Sequence, residues 1–187
     1  MGKKSIREDK NIFQLAREEA GLTRAQASEK LVFVSESRIE KYESGKSEVH
    51  PEEVLAMAKA YRKPMLCNYY CSKMCPIGKE NVPEIKMKDL AQIVLNTLAT
   101  LNSLEDEKDR LIEITADSQV SEDELSDFVR IQRGIEQIAL ASDSLSMWMN
   151  QMVASGQIDE KKTSTGKSCS GAEGKILIFP YWRNNIS

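Results

Sequence analysis

The first sixty residues carry apolar positions in short helical clusters, each closed by its own start and stop signals. From Asn11 to Ala20 the residues Ile12, Leu15 and Ala16 recur at helical spacing, and Gly21 ends the run. Thr23 is placed to cap a second helix, Arg24 to Leu31, and Gln26 three residues on completes a capping-box pattern. A break at Val32 to Val34 follows. Ser35 caps a third helix reaching about Glu43, and Gly45 stands where a helix commonly ends in a left-handed residue. Pro51 opens a fourth helix, Glu52 to Tyr61, with Val54, Leu55 and Ala58 predicted on one face, and Pro64 closes it.

Beyond Pro64 the pattern changes. Leu66 to Cys75 has the length of one more short helix, and Pro76, Gly78 and Pro83 predict a linker or turn after it. Two long patterns come next. Leu90, Val94, Thr97, Leu101, Leu104, Lys108 and Leu111 alternate steps of four and three. Phe128, Ile131, Ile135, Ile138, Ser142, Leu145, Met149 and Met152 do the same. Each reads as a heptad seam, and the polar break Asp117 to Val120, with the capping pair Ser121 and Glu124, joins them into an antiparallel helical hairpin. A lone hairpin leaves one apolar face uncovered, which predicts packing on the head, on a second copy, or on both. Residues 156–174 are rich in Gly, Ser, Thr and Lys and predict a flexible tail, dispensable for the chemistry of the head. The apolar strip Ile176–Trp182, broken by Pro180, ends it. The division that follows is a head at 1–66, a connector at 67–85, the hairpin at 86–155 and the tail at 156–187.

Composition adds a class and a charge asymmetry. The chain has 187 residues, 41% hydrophobic and 29% charged, with a net charge of −3, which is a soluble globular balance. No apolar run approaches the roughly 20 residues of a membrane span, and the charged start MGKKSIREDK leads into no apolar leader. The expected location is the cytoplasm, with the four cysteines reduced. Residues 1–66 hold 13 Lys/Arg against 11 Asp/Glu, while residues 86–162 hold 8 against 15. A weakly basic head on an acidic body places any contact with a polyanion on the head.

The segment Leu22–Lys46, LTRAQASEKLVFVSESRIEKYESGK, resembles the helix-turn-helix of the λ repressor/Cro-like (Xre-type) DNA-binding family. The likeness is carried by Leu22, Thr23, Leu31, Val34, Ser35, Ile39, Tyr42, Glu43, Gly45 and Lys46, followed by Pro51, Val54, Leu55 and Ala58, and covers about residues 11–63. To about residue 160 the chain also looks like regulators carried on bacterial mobile elements, as an overall impression without a sharp motif. The resemblance implies an all-α protein: a head of four to five helices of this type, then the hairpin. It implies a sequence-specific transcriptional regulator of bacterial or phage type that binds double-stranded DNA as a homodimer. The recognition helix, about Ser35–Glu43, would enter the major groove. The expected contacts are Arg24, Gln26, Ser35, Ser37, Arg38, Lys41 and Lys46, with Arg38 and Lys41 as base readers and Arg24 and Lys46 on phosphates. Tyr42 and Glu43 read as structural, Glu43 holding the turn at Gly45.

Two departures from the family pattern stand out. Leu31 to Ile39 spans eight residues instead of seven, and the turn has Val32 and Phe33 in place of its usual Gly. One residue must bulge, or the recognition helix must start elsewhere. Glu36 and Glu40 also place carboxylates on the predicted reading face, where they repel phosphates. The competing reading is therefore a non-enzymatic protein-interaction module, antitoxin-like or anti-repressor-like, on a degenerate helix-turn-helix.

Cys67, Cys71 and Cys75 fall at i, i+4 and i+8, one face of a helix, and His50 is the only histidine. Three thiolates and an imidazole suit tetrahedral zinc. The same cysteines also suit small apolar packing residues or a reversible thiol sensor, and Cys169 lies in the tail. The acidic runs at 105–107 and 122–124 read as a solvated helix face and a helix start. Met147, Trp148, Met149 and Met152 read as seam. With no phosphate loop and no nucleophile motif, no catalytic site is predicted and no small-molecule effector is evident.

Overall fold

The computed structural model describes residues 10–116 and 119–159, and all regular structure among them is helical. The elements are α1 (Ile12–Glu19), α2 (Arg24–Leu31), α3 (Glu36–Glu43), α4 (Pro51–Ala60), α5 (Met65–Lys73), α6 (Pro76–Asn81), α7 (Leu90–Thr115) and α8 (Leu125–Ala154). Among the described residues no helix is long and apolar enough to cross a membrane. The predicted tail lies, from residue 160 on, outside the described residues, as does Cys169. Two compact units are distinguishable: residues 10–84 with 149–159, and Ile85–Trp148.

In the first unit the caps written in the sequence set the helix limits. Asn11 caps α1 through its side-chain oxygen, which accepts from Gln14 N at 3.0 Å. Thr23 and Gln26 form the reciprocal box at the start of α2. Ser35 accepts from the backbone N–H of Arg38 at the start of α3. Gly45, at φ +70°, turns the chain after α3 in a backbone conformation that side chains resist. The core gathers Phe13, Ala16, Ala27, Leu31, Val34, Ile39, Tyr42, Val54, Met57, Tyr61 and Leu66. Around it α2 packs on α3 and α4, α1 on α3, and α4 on α5.

Several predicted faces are rotated. In α1 the buried side is Phe13, Gln14, Ala16 and Arg17, and Leu15 is 43% exposed. In α4, Val54 and Ala58 are buried beside Met57, and Leu55 stands outside. The predicted linker after Cys75 is in part a helix, α6. Pro76 is tolerated there because it occupies the first turn, where its missing N–H has no helical partner. Gly78 lies in α6 because nothing larger fits: a Cβ built on it would come within 2.1 Å of the Cys71 carbonyl oxygen. Close approach of α6 to the backbone of α5, and not chain flexibility, accounts for this glycine.

In the second unit, Arg110 Nε meets Asp127 Oδ2 at 2.8 Å and Arg130 Nε meets Glu107 Oε1 at 3.1 Å. These two ion pairs bring the end of α7 to the start of α8. Glu124 accepts from the backbone N–H of Ser121 at 3.1 Å and from its hydroxyl at 2.5 Å, ahead of α8. The shielded stripe of α7 keeps a heptad step but in another phase from the predicted one. Ile93 and Ile114 are buried, and Thr97, Thr100, Leu104, Glu107 and Leu111 are half-buried between them. Only Thr97, Leu104 and Leu111 belong to the predicted seam. Thr97 and Thr100 suit the stripe because each hydroxyl donates to a backbone carbonyl one turn back, at 2.8 Å. Leu90, Val94, Leu95, Leu98 and Leu101 are left exposed, between 38% and 63%. In α8, Ile131 is fully buried and Ile138 half-buried, while Ile135, Ser142, Leu145 and Met149 face solvent.

Candidate nucleic-acid interface

Two buried carboxylates fix the pose of α3. Glu43, near the end of α3, accepts from Arg17 Nε at 2.5 Å and Nη2 at 3.0 Å, and from Arg24 Nε at 2.8 Å. The carboxylate thus ties α3 to α1 and α2 together. Burial opposes the charge of Arg17, but the hydrogen bond and charge of Glu43 hold its guanidinium above its ordinary value. Arg17 Nη1 also donates to the Leu22 carbonyl at 2.7 Å, closing the turn between α1 and α2. Glu43 is structural, as expected, but its work is this clamp and not the turn at Gly45.

Glu53, in the first turn of α4, is the second carboxylate. It accepts from the Tyr42 hydroxyl at 2.5 Å and from the His50 N–H at 3.1 Å, and its Oε1 forms an ion pair with the Arg38 guanidinium, 2.9 Å from Nε. Arg38 Nε also donates to the Tyr42 hydroxyl, and its guanidinium lies 5.7 Å from the centre of the Tyr42 ring. Burial, with the bond to Glu53, raises the Tyr42 pKa, so the phenol stays a proton donor. Asn11 Nδ2 donates to the Tyr42 carbonyl at 2.6 Å, adding a third tie to the end of α3.

What α3 turns outward is Ser35, Glu36, Ser37, Arg38, Glu40 and Lys41, all exposed, while Ile39 and Leu31 are buried beneath it. The residues named from the sequence are placed unequally. Lys41 and Lys46 are exposed at and beyond the end of α3, and Ser37 lies 3.2 Å from the Ser35 hydroxyl in the first turn. Gln26 is exposed, with its side-chain oxygen accepting from Thr23 N at 2.9 Å. Arg24 and Arg38 are engaged with Glu43 and Glu53, and their side chains remain 34% and 45% exposed. Sequence reasoning missed Arg17 and Glu53. A signal existed for the first: Arg17 falls one turn after Phe13, and a cation on an apolar face requires a buried partner.

The eight-residue spacing is absorbed in the turn. Val32 adopts φ +60° and ψ −48°, and the Phe33 N–H donates to the Leu31 carbonyl at 2.6 Å. This is a γ-turn of the rare positive-φ kind, carried by a β-branched residue. The inserted residue bulges, and α3 keeps its predicted start.

The cysteines are not brought into a ligand set. Cys67 is buried on α5 and its thiol is pushed up to about 11, chiefly by burial. Cys71 is half-buried on the same helix, and Cys75 precedes α6. His50 is exposed at the start of α4. Among the described residues no group of three or more His, Cys, Asp or Glu is arranged to hold a metal ion.

Comparison with known proteins adds one match. A family model described as helix-turn-helix fits residues 13–66, which spans α1 to the start of α5. No curated protein and no solved structure matches the chain. Domains of this family are generally non-enzymatic DNA-binding modules. With two short helices set by a buried core, a capped third helix facing outward and the family match, residues 13–66 form a helix-turn-helix domain, similar to that of the λ repressor/Cro-like (Xre-type) proteins.

Proposed function

We propose that the chain is a sequence-specific transcriptional regulator of bacterial or mobile-element type, which places α3 in the major groove of double-stranded DNA. The observation that carries this reading is the double clamp on α3. Two buried carboxylates fix the helix from three sides while its outward face stays exposed. Such a frame suits a helix that must be presented rigidly to a groove about as wide as itself. Ser35 and Ser37 at its start, Arg38 and Lys41 along it, and Gln26, Arg24 and Lys46 at its margins are the candidate contacts. Arg38 is held through Nε, and a guanidinium has further donors on its terminal nitrogens. Arg24 and Lys46 suit phosphates.

The proposed active form is a homodimer built through α7 and α8. The exposed apolar stripe Leu90, Val94, Leu98 and Leu101 supports it, since contiguous exposed apolar surface commonly marks an interface. A dimer would set two recognition helices about one helical turn of DNA apart. Sedimentation at micromolar concentration tests the dimer, and a clean monomer overturns it.

The alternative, a protein-interaction module, draws on Glu36 and Glu40, which are exposed on the reading face. Selection from random duplexes separates the two. Enrichment of one motif by the full chain supports the regulator, and recovery of unenriched sequence supports the interaction module.

A further inference from the structure

The turn before the recognition helix presents an apolar knob that the fold does not use. Leu31 and Val34 on either side of it are buried, at 2% and 1%, while Val32 and Phe33 between them are 88% and 60% exposed. The knob is held in place. Its γ-turn is closed by the bond from Phe33 N–H to the Leu31 carbonyl, and the Ser28 hydroxyl donates to the Val34 carbonyl at 2.9 Å. A turn that served only to join two helices would do better with Gly and polar residues. Here a β-branched residue takes a strained conformation and an aromatic ring stands in water. Strain of that kind persists where the surroundings over-determine it, and such sites concentrate where ligands bind.

We propose that Phe33, supported by Val32, is a specificity-determining residue that reads the C5-methyl group of thymine in the major groove. This deepens the DNA-binding reading and rests on it. Phe33 lies two residues ahead of Ser35, the cap of α3. In helix-turn-helix docking it is the N-terminal residues of the recognition helix that contact base edges. The residues just before that end are therefore carried to the groove with it. The major groove marks thymine by a methyl group, and an apolar side chain is its natural reader. The charges nearby favour such a contact. Glu36 and Glu40 oppose Arg38 and Lys41 on the exposed face of α3, so electrostatic attraction at this end is weak. Apolar contact is indifferent to that balance.

The experiment uses the full chain, its Phe33→Ala and Phe33→Leu variants, and the duplex that the wild-type chain enriches from random sequence. Each thymine of that duplex is replaced in turn by uracil, which removes only the methyl. Phe33→Ala is expected to bind the selected duplex roughly tenfold more weakly, with Phe33→Leu between it and wild type, and with the same dependence on salt. One or two uracil positions are expected to cost the wild type about fourfold each and the alanine variant nothing. Because the ring is exposed, thermal melting of the variants should match wild type. Equal losses on uracil for wild type and Phe33→Ala, or an alanine variant that binds as well as wild type, overturn the proposal while leaving DNA binding intact. A wild-type chain that enriches no sequence instead overturns the DNA-binding reading, and this inference with it.

Discussion

Replacing Val32 by glycine should stabilise the head, against the usual effect of putting glycine into an ordered chain. The magnitude follows from three terms. A non-glycine residue held at positive φ costs of order 1–3 kcal/mol, and Val32 is held at φ +60° with a branched Cβ. Glycine relieves that strain but loses about 0.5–1 kcal/mol of extra backbone entropy on folding. The lost side chain contributes little, because it is 88% exposed. The balance is a gain of about 1 kcal/mol, which is roughly 4–8 °C for a domain of this size. Val32→Ala should gain less, since it removes only the β-branch and keeps the Cβ. The assay is hydrogen exchange in peptides spanning α2 and α3 of the full chain, together with thermal unfolding. A neutral or destabilised Val32→Gly would refute the reasoning, and would show that the turn is not strained or that the branched side chain makes contacts the exposure does not reveal.

Three further outcomes follow from other parts of the molecule. Glu43→Gln should cost about 3–5 kcal/mol in urea unfolding, because it takes from the Arg17 guanidinium, 8% exposed, the nearer of its two carboxylates and leaves only Glu18 at 4.0 Å; a loss below about 1 kcal/mol contradicts the clamp. Gly78→Ala should cost about 1–3 kcal/mol, because its Cβ meets the Cys71 carbonyl at 2.1 Å, whereas Ile77→Ala, on an exposed side chain, should stay within about 0.5 kcal/mol. Asp143 is held above the ordinary carboxylate range by burial, so its folded state favours the protonated form. Any stability this gives is present at acid pH and is lost as pH rises through the raised pKa. Asp143→Asn should therefore raise the melting temperature at neutral pH, with the gain vanishing below about pH 4; a pH-independent difference rejects that assignment.

The helices of the head were legible because their ends are written locally. Thr23 with Gln26, Ser35, Gly45 and Pro51 each act on a backbone within three residues, so sequence alone places them. The clamp on α3 was not legible, since Arg17 and Glu43 are 26 residues apart and become partners only after folding. Family resemblance marked Glu43 without saying what it binds. The connector misled for a different reason. Pro76 and Gly78 are read as breakers, yet the first sits where a helix tolerates proline and the second where two backbones touch. In α7 the heptad step was visible but its phase was not, because apolar residues occupy more than one side of the helix. Leu95, Leu98 and Ile112 are exposed alongside a stripe that shields threonines. Among the expected contacts, the sequence showed the cations but not that Arg24 and Arg38 have internal carboxylates as partners.

The most direct measurement of the central claim is the equilibrium affinity of the full chain for the DNA upstream of its own reading frame, titrated across salt against a scrambled duplex. The account predicts binding to the upstream duplex at least about a thousandfold tighter than to the scrambled one near physiological salt. It also predicts that log affinity falls linearly with log salt. In the double variant Arg38→Ala, Lys41→Ala, the preference should fall by about thirtyfold or more, as expected for losing two base contacts of about 1–3 kcal/mol each. Equal affinity for the two duplexes, or a double variant as selective as wild type, would contradict it.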